Sequence, residues 1–155
     1  MGLLNLASAA SAWRGYEYYK SGKVKRYRET DDDQYEGQVI GSNGASYQVK
    51  INLEHPRRSQ CACPHAAGRR IVCKHMVALY FSVFPEEAED YYREVIEAEE
   101  MAEQEQEQLE NAVIAYVGKM KKAELQQALL QTLFEGPEWQ FERFVCENLG
   151  EYDMR

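Results

Sequence analysis

Cysteine is scarce in this chain, with four among 155 residues. That is too few for the disulfide framework of a small secreted protein, and the chain is long enough to bury a core without such staples. No apolar run approaches the roughly 20 residues needed to cross a bilayer. The opening residues, MGLLNLASAASAWRGY, are mildly apolar but lack a basic n-region and a sustained apolar centre, so they read as a frayed end or helix start and not as a signal peptide. They also lack Ser or Thr where a myristoylation motif places it. There is no G-x-x-x-x-G-K-[ST] phosphate loop and no internal repeat. These absences argue against a membrane-spanning chain, a disulfide scaffold and a phosphate-loop ATPase. The compartment they suggest is the cytoplasm, where thiols stay reduced and free to bind metal. The length fits one domain, or a small domain with an appendage.

Charge is present in quantity but unevenly placed. The net charge of −8 combines residues 1–80, with 12 Lys and Arg against 7 Asp and Glu, and residues 81–155, with 6 against 19. The first half is therefore +5 and the second −13. Such asymmetry suggests two halves with different neighbours, although an uneven surface alone can produce it. The stretch Glu86 to Glu110 holds twelve acids and one base, Arg93. It reads as a solvated helix face; its sharper alternative is an acidic surface that meets a basic partner.

Periodicity switches near residue 80. In the first half, Trp13, Tyr16 and Tyr19 fall at helical spacing, and Ser21-Gly22 stops the helix. KVKRYRE reads as a strand, TDDDQ as a turn and YEGQVI as a second strand. In SYQVKINL, Tyr47, Val49, Ile51 and Leu53 alternate with polar residues, as in a strand with one apolar face. Asn43-Gly44 supplies the positive φ angles of a tight hairpin between the last two. The second half is helical: HMVALYFSVF, interrupted at Pro85; a long stretch with almost no Gly or Pro up to Gly118; KKAELQQALLQTLF, with Leu125, Leu129 and Leu133 in one row; and EGPEWQFERFVCENLG. In the last, Pro137 suits the first turn, Phe141, Val145 and Leu149 form the stripe, and Gly150 ends the helix.

The few cysteines are concentrated. CACPHAAGRRIVCKH, residues 61–75, holds three of the four and two of the three histidines. Cys61, Cys63, Cys73 and His75 form Cys-x-Cys, nine residues, Cys-x-His. Three thiolates and one imidazole saturate a tetrahedral zinc ion. Residues i and i+2 of an extended segment point to the same side, so Cys61 and Cys63 can converge. On a helix the same spacing separates two side chains by about 200°. Cys73 must therefore precede the helix and His75 must sit in its first turn, with Pro64 and Gly68 turning the chain between the pairs. Zinc with this ligand set carries −1, which a helix N-terminus and nearby cations stabilise. Arg57, Arg58, Arg69, Arg70 and Lys74 lie in or beside the stretch. They either neutralise the site or form a phosphate-binding patch.

The pattern CACPHAAGRRIVCKHMVALYF resembles a SWIM zinc finger at all four ligand positions, and RGYEYYKSGKV with SYQVKINL resembles the segment that precedes the ligands in bacterial members. The resemblance spans residues 13–84. MKKAELQQALLQTLFEGPEWQFERFV resembles the helical extension of bacterial standalone members, with Met120-Lys121-Lys122 where Ser or Asp often caps that helix. The resemblance implies binding to nucleic acid, to protein, or to both.

Other residues receive plainer readings. His65 and His55 are expected to be exposed, and Cys146 to be a buried structural thiol. Tyr16, Tyr18, Tyr19, Tyr27, Tyr35 and Tyr47 interleave with Lys20, Lys23, Lys25, Arg26 and Arg28. This suits either a single-strand-binding face, through stacking and phosphate contacts, or ordinary packing of a small sheet, which is the commoner use. The expected fold class is α+β: an N-terminal helix, a small antiparallel sheet, a Cys3His zinc finger and C-terminal helices. The finger domain is expected over residues 1–84 and an acidic helical extension over 85–155. The expected function is a zinc-dependent module that binds DNA or a DNA-associated protein complex. The alternative is a protein–protein adaptor that uses the acidic tail without touching nucleic acid. Zinc is the expected cofactor. Nucleic acid and protein are the expected partners, with no membrane and no small-molecule substrate. No enzymatic activity is expected, because a catalytic zinc keeps a coordination position open and four good ligands close it.

Overall fold

Ser8 starts the first helix. Its backbone is extended and its Oγ accepts the Ser11 N–H at 3.2 Å, an N-cap for α1 (Ala9–Lys20). Of the two readings of the opening residues, a frayed end or a helix start, the structure has the second, and the residues before Ser8 are tied down: Leu3 is buried in the core, a 3-10 turn covers Leu4–Leu6, and Ala7 bridges in parallel to Val72. The structure, a computed structural model, describes residues 2–149.

Four antiparallel strands follow, β1 (Val24–Asp31), β2 (Gln34–Ile40), β3 (Ser46–Asn52) and β4 (Gln60–Cys61), hydrogen-bonded in chain order. The β1–β2 turn is tight, with Asp33 at φ 59°. The β2–β3 hairpin forms where expected, but not through a two-residue Asn-Gly turn. Ile40 pairs with Ser46, so five residues make the loop. Of these only Gly44 has positive φ, while Asn43 Oδ1 accepts the Ala45 N–H at 3.1 Å. The inner face of the sheet carries Val39, Val49 and Ile51, all buried.

Against that face lies α2 (Lys74–Val83). His75, Met76, Val77, Ala78, Leu79 and Phe81 are all buried, so the helix is apolar nearly all round, as a helix enclosed on several sides must be. α1 covers its other side. Two glycines permit the close approach. A Cβ on Gly15 would lie 2.5 Å from Val77 Cβ, and one on Gly37 would lie 2.7 Å from the Arg26 carbonyl and 2.9 Å from Leu79 Cδ1. α3 (Pro85–Val117) begins on the same core: Ala88 is buried, and the Tyr92 ring stacks on Tyr16 at 5.2 Å. The first compact unit therefore runs through Ala98, and a second begins at Glu99.

The second unit holds the rest of α3, α4 (Lys122–Glu135) and α5 (Glu138–Leu149). Glu124 accepts the Lys121 N–H at 2.7 Å at the start of α4, and the Phe134 and Phe141 rings meet at 5.8 Å. Among the described residues of this unit only Val145 is fully buried. Leu125, Leu129 and Leu149 of the expected stripes are exposed. Cys146 is exposed as well, not a buried thiol: it lies about 100° round the helix from Val145, off the covered face. Pro137 stands just before α5 and not within its first turn, and Gly150 lies outside the described residues. Among the described residues no helix is long and apolar enough to cross a membrane.

Candidate metal centre and its basic surroundings

The two ends of the cysteine stretch are placed by different elements. Cys61 closes β4 opposite Val49, and the Ala62 N–H donates to the Gln48 carbonyl at 3.0 Å, which extends the pairing toward Cys63. The chain then turns: Ala66 and Ala67 donate to the Cys63 carbonyl, and Gly68 adopts φ 70°. A Cβ on Gly68 would have open space around it, so glycine is favoured there by the left-handed backbone and not by crowding. Cys73 is the extended N-cap residue of α2, and His75 lies in the first turn. The spacing argument thus holds: the helix supplies one ligand from its cap and one from its start.

The four side chains meet, and all are buried. Cys63 Sγ lies 3.8 Å from Cys73 Sγ, and His75 Nδ1 lies 3.7 Å from Cys61 Sγ and 3.9 Å from Cys73 Sγ. All four ligand atoms fall within 4.8 Å of one another. Zinc bonds of about 2.3 Å to sulfur and about 2.0 Å to nitrogen give tetrahedral edges of about 3.8 Å and about 3.5 Å. The sulfur separation is far beyond the bonded distance of a disulfide. Donor types, burial and edge lengths therefore fit a tetrahedral zinc ion bound through His75 Nδ1. The His75 ring is flanked by Tyr18 and Tyr47, with centroids at 5.4 and 5.0 Å.

Proton affinity in the cluster is uneven without metal. The neighbouring Cys61 thiol draws the Cys73 thiol down to about 4. The same neighbour, together with burial, pushes Cys61 well up. The positive charge of a zinc ion at this site would favour the ionised form of all three thiols.

Beside the centre lies an open groove of about 960 Å³. Its floor is the outer face of β3 and β4, where Gln48 and Lys50 alternate with the buried Val49. Arg57 and Arg58, from a 3-10 turn at Pro56–Arg58, and Arg69 and Arg70, from the metal loop, also line it. No Asp, Glu or aromatic residue lines the groove. Four of the five expected basic residues are thus brought together. Lys74 is not among them: it opens α2, its Nζ sits 4.4 Å over the Tyr18 ring, and it lines a separate cleft with Arg14 and His65. Lys50 was missed in the sequence reading, although the alternation of SYQVKINL places it opposite Val49 and Ile51. His55 and His65 are exposed as expected, and neither joins the metal cluster.

A β-edge knuckle and a helix start that pinch one Cys3His set define a small structural zinc finger fused to helices. Residues 47–84 match the family model of the SWIM zinc finger. No curated protein and no solved structure matches the chain.

Proposed function

We propose that the chain is a zinc-dependent module that binds DNA by drawing its phosphates into the arginine groove, with zinc held by Cys61, Cys63, Cys73 and His75. The observation that carries the reading is the groove itself: Arg57, Arg58, Arg69, Arg70 and Lys50 around one opening with no carboxylate in its lining. Cations that merely offset the charge of a zinc-thiolate centre need not share an open groove. Zinc serves by fixing β4 and the start of α2, so that the loop carrying Arg69 and Arg70 is held beside Arg57 and Arg58.

The test is fluorescence anisotropy with labelled DNA across a salt series. If each of five cations contacts a phosphate, the log–log slope on duplex is about −4.5, and affinity falls roughly 500-fold from about 50 to about 200 mM salt. Changing Arg57, Arg58, Arg69 and Arg70 together to Gln should flatten the slope by about 3.6 while zinc content is retained. Absence of binding by the wild type at low salt defeats the reading.

A second reading, a protein adaptor, is favoured by one observation. Leu130, Phe134 and Trp139 are 51, 69 and 57% exposed in a unit with a single fully buried residue among those described. Helices with so little core gain stability by covering that surface with a partner. Such binding would be nearly insensitive to salt.

A further inference from the structure

The basic surface does not end at the groove. The strand register sets two rows of side chains across the outer face of the sheet. One row runs Arg28, Glu36, Lys50, Gln60 from β1 to β4; the other runs Arg26, Gln38, Gln48. Every member except Glu36 is exposed. Tyr27, Tyr35 and Tyr47 alternate with these residues and so belong to the opposite face, where Tyr35 and Tyr47 pack against the core and Tyr27, on the edge strand, stays 52% exposed. Basic and aromatic residues that interleave in the sequence are therefore separated by the pleat, and the outer rows hold cations and amides without a single aromatic ring.

We infer that this outer face, from Arg26 and Arg28 to the arginine groove, is one continuous surface for the backbone of double-stranded DNA. The inference rests on the proposed nucleic-acid reading and names its ligand. Three inter-strand gaps of about 4.8 Å place Arg26 and Arg28 about 14 Å from the β4 edge, a span comparable to the width of about 12 Å of a major groove. Cations at both ends can thus reach phosphates on both strands. A single strand offers a lower charge density, and the bases it exposes find no ring on which to stack. Amides and guanidinium groups at this spacing bind the phosphodiester backbone whatever the base sequence.

Glu36 is the one carboxylate in the rows. It accepts hydrogen bonds from Arg28 Nε and pairs with Lys50 Nζ at 3.4 Å. It therefore competes with phosphate for two of the surface cations. Removing its charge frees both, and surface pairs of this kind contribute little to folding.

The experiment compares labelled duplex and single-stranded DNA of equal length with the zinc-loaded full chain, its Arg26→Gln/Arg28→Gln variant and its Glu36→Gln variant. The wild type should bind duplex the more tightly. The double variant should lower the duplex slope by about 1.8 while keeping its zinc and its Tm, and Glu36→Gln should raise duplex affinity several-fold. Tighter binding to the single strand overturns the inference. So does an unchanged slope in the double variant, which confines binding to the groove and leaves the proposed function standing. Failure of the wild type to bind either DNA defeats both together.

Discussion

Cys73 has two roles that one substitution can separate. It contributes a thiol to the buried cluster and it is the N-cap residue of α2, yet its side chain makes no capping hydrogen bond. Serine is a weak zinc ligand but a strong N-cap, worth about 0.5–2 kcal/mol over a residue that caps poorly. Cys73→Ser therefore acts with opposite sign on the two roles. In chelator, where the metal is gone from both proteins, the variant should match or exceed the wild type in thermal stability. In zinc it should be far less stable. Metal binding in small zinc sites is worth about 10–16 kcal/mol, as much as the whole net stability of a domain. Loss of only a fifth of that, about 3 kcal/mol, lowers Tm by roughly 12–24 °C in a domain of this size. The effect should be global, because α2 is the helix enclosed by α1 and the sheet, and its N-terminus is the part that the cluster fixes to β4. The assay is thermal unfolding followed by circular dichroism, with and without chelator, alongside elemental analysis for zinc. A variant that keeps a full zinc complement and the wild-type Tm in zinc refutes the ligand assignment. A variant less stable than the wild type even in chelator refutes the separation of cap from ligand.

Other substitutions report on neighbouring features. His65→Ala should leave zinc content unchanged, since His65 is exposed and outside the cluster, and elemental analysis checks this. Gly15→Ala should cost about 1–3 kcal/mol by forcing α1 away from Val77, read as a lower denaturation midpoint in urea at unchanged zinc content. Thiol titration should find one fast-reacting cysteine in the zinc-loaded protein, Cys146, and the three cluster thiols only after chelation, because Cys146 alone is exposed. Loss of that fast phase in Cys146→Ser confirms the assignment, and its persistence refutes it.

The metal centre was legible because its constraint is local. Two Cys-x-ligand pairs must meet at one ion, and the geometry of a strand and of a helix start leaves few ways to do so. The position of Cys73 before α2 and of His75 in its first turn follows from the 100° step of a helix alone. The apolar face of β3 was legible for the same reason, from a period of two. What could not be read is what depends on packing partners. In α5, Phe141, Val145 and Leu149 share a helical stripe, yet only Val145 is buried. A stripe announces a surface that benefits from cover and does not say whether cover is supplied. Cys146 was misplaced by the same step, from apolar neighbours in sequence to burial in space. Lys74 was grouped with the arginines because it is near them along the chain, but the start of α2 carries it to Tyr18 instead.

The tyrosines show most directly why register matters to function. In the sequence, Arg26, Tyr27 and Arg28 read as half of a packed sheet, the commoner use, or as a stacking platform ringed by cations. Alternation alone says that Tyr27 and its neighbours part to opposite faces, but not which face meets a helix. The pairing decides it. Tyr27 stands opposite Gly37, and a Cβ on Gly37 would meet Leu79 of α2, so the tyrosine side of β1 is the inner side. Irregularities between Val24 and Arg26, and again between Glu29 and Asp31, bound the stretch in which this alternation holds. A slip of one residue at either would turn Arg26 and Arg28 inward and move Tyr27 to the outer face. The same composition would then make an aromatic platform suited to unstacked bases. The register of one edge strand, set by its irregularities and by a glycine under a leucine, is what keeps Arg26 and Arg28 on the outer face.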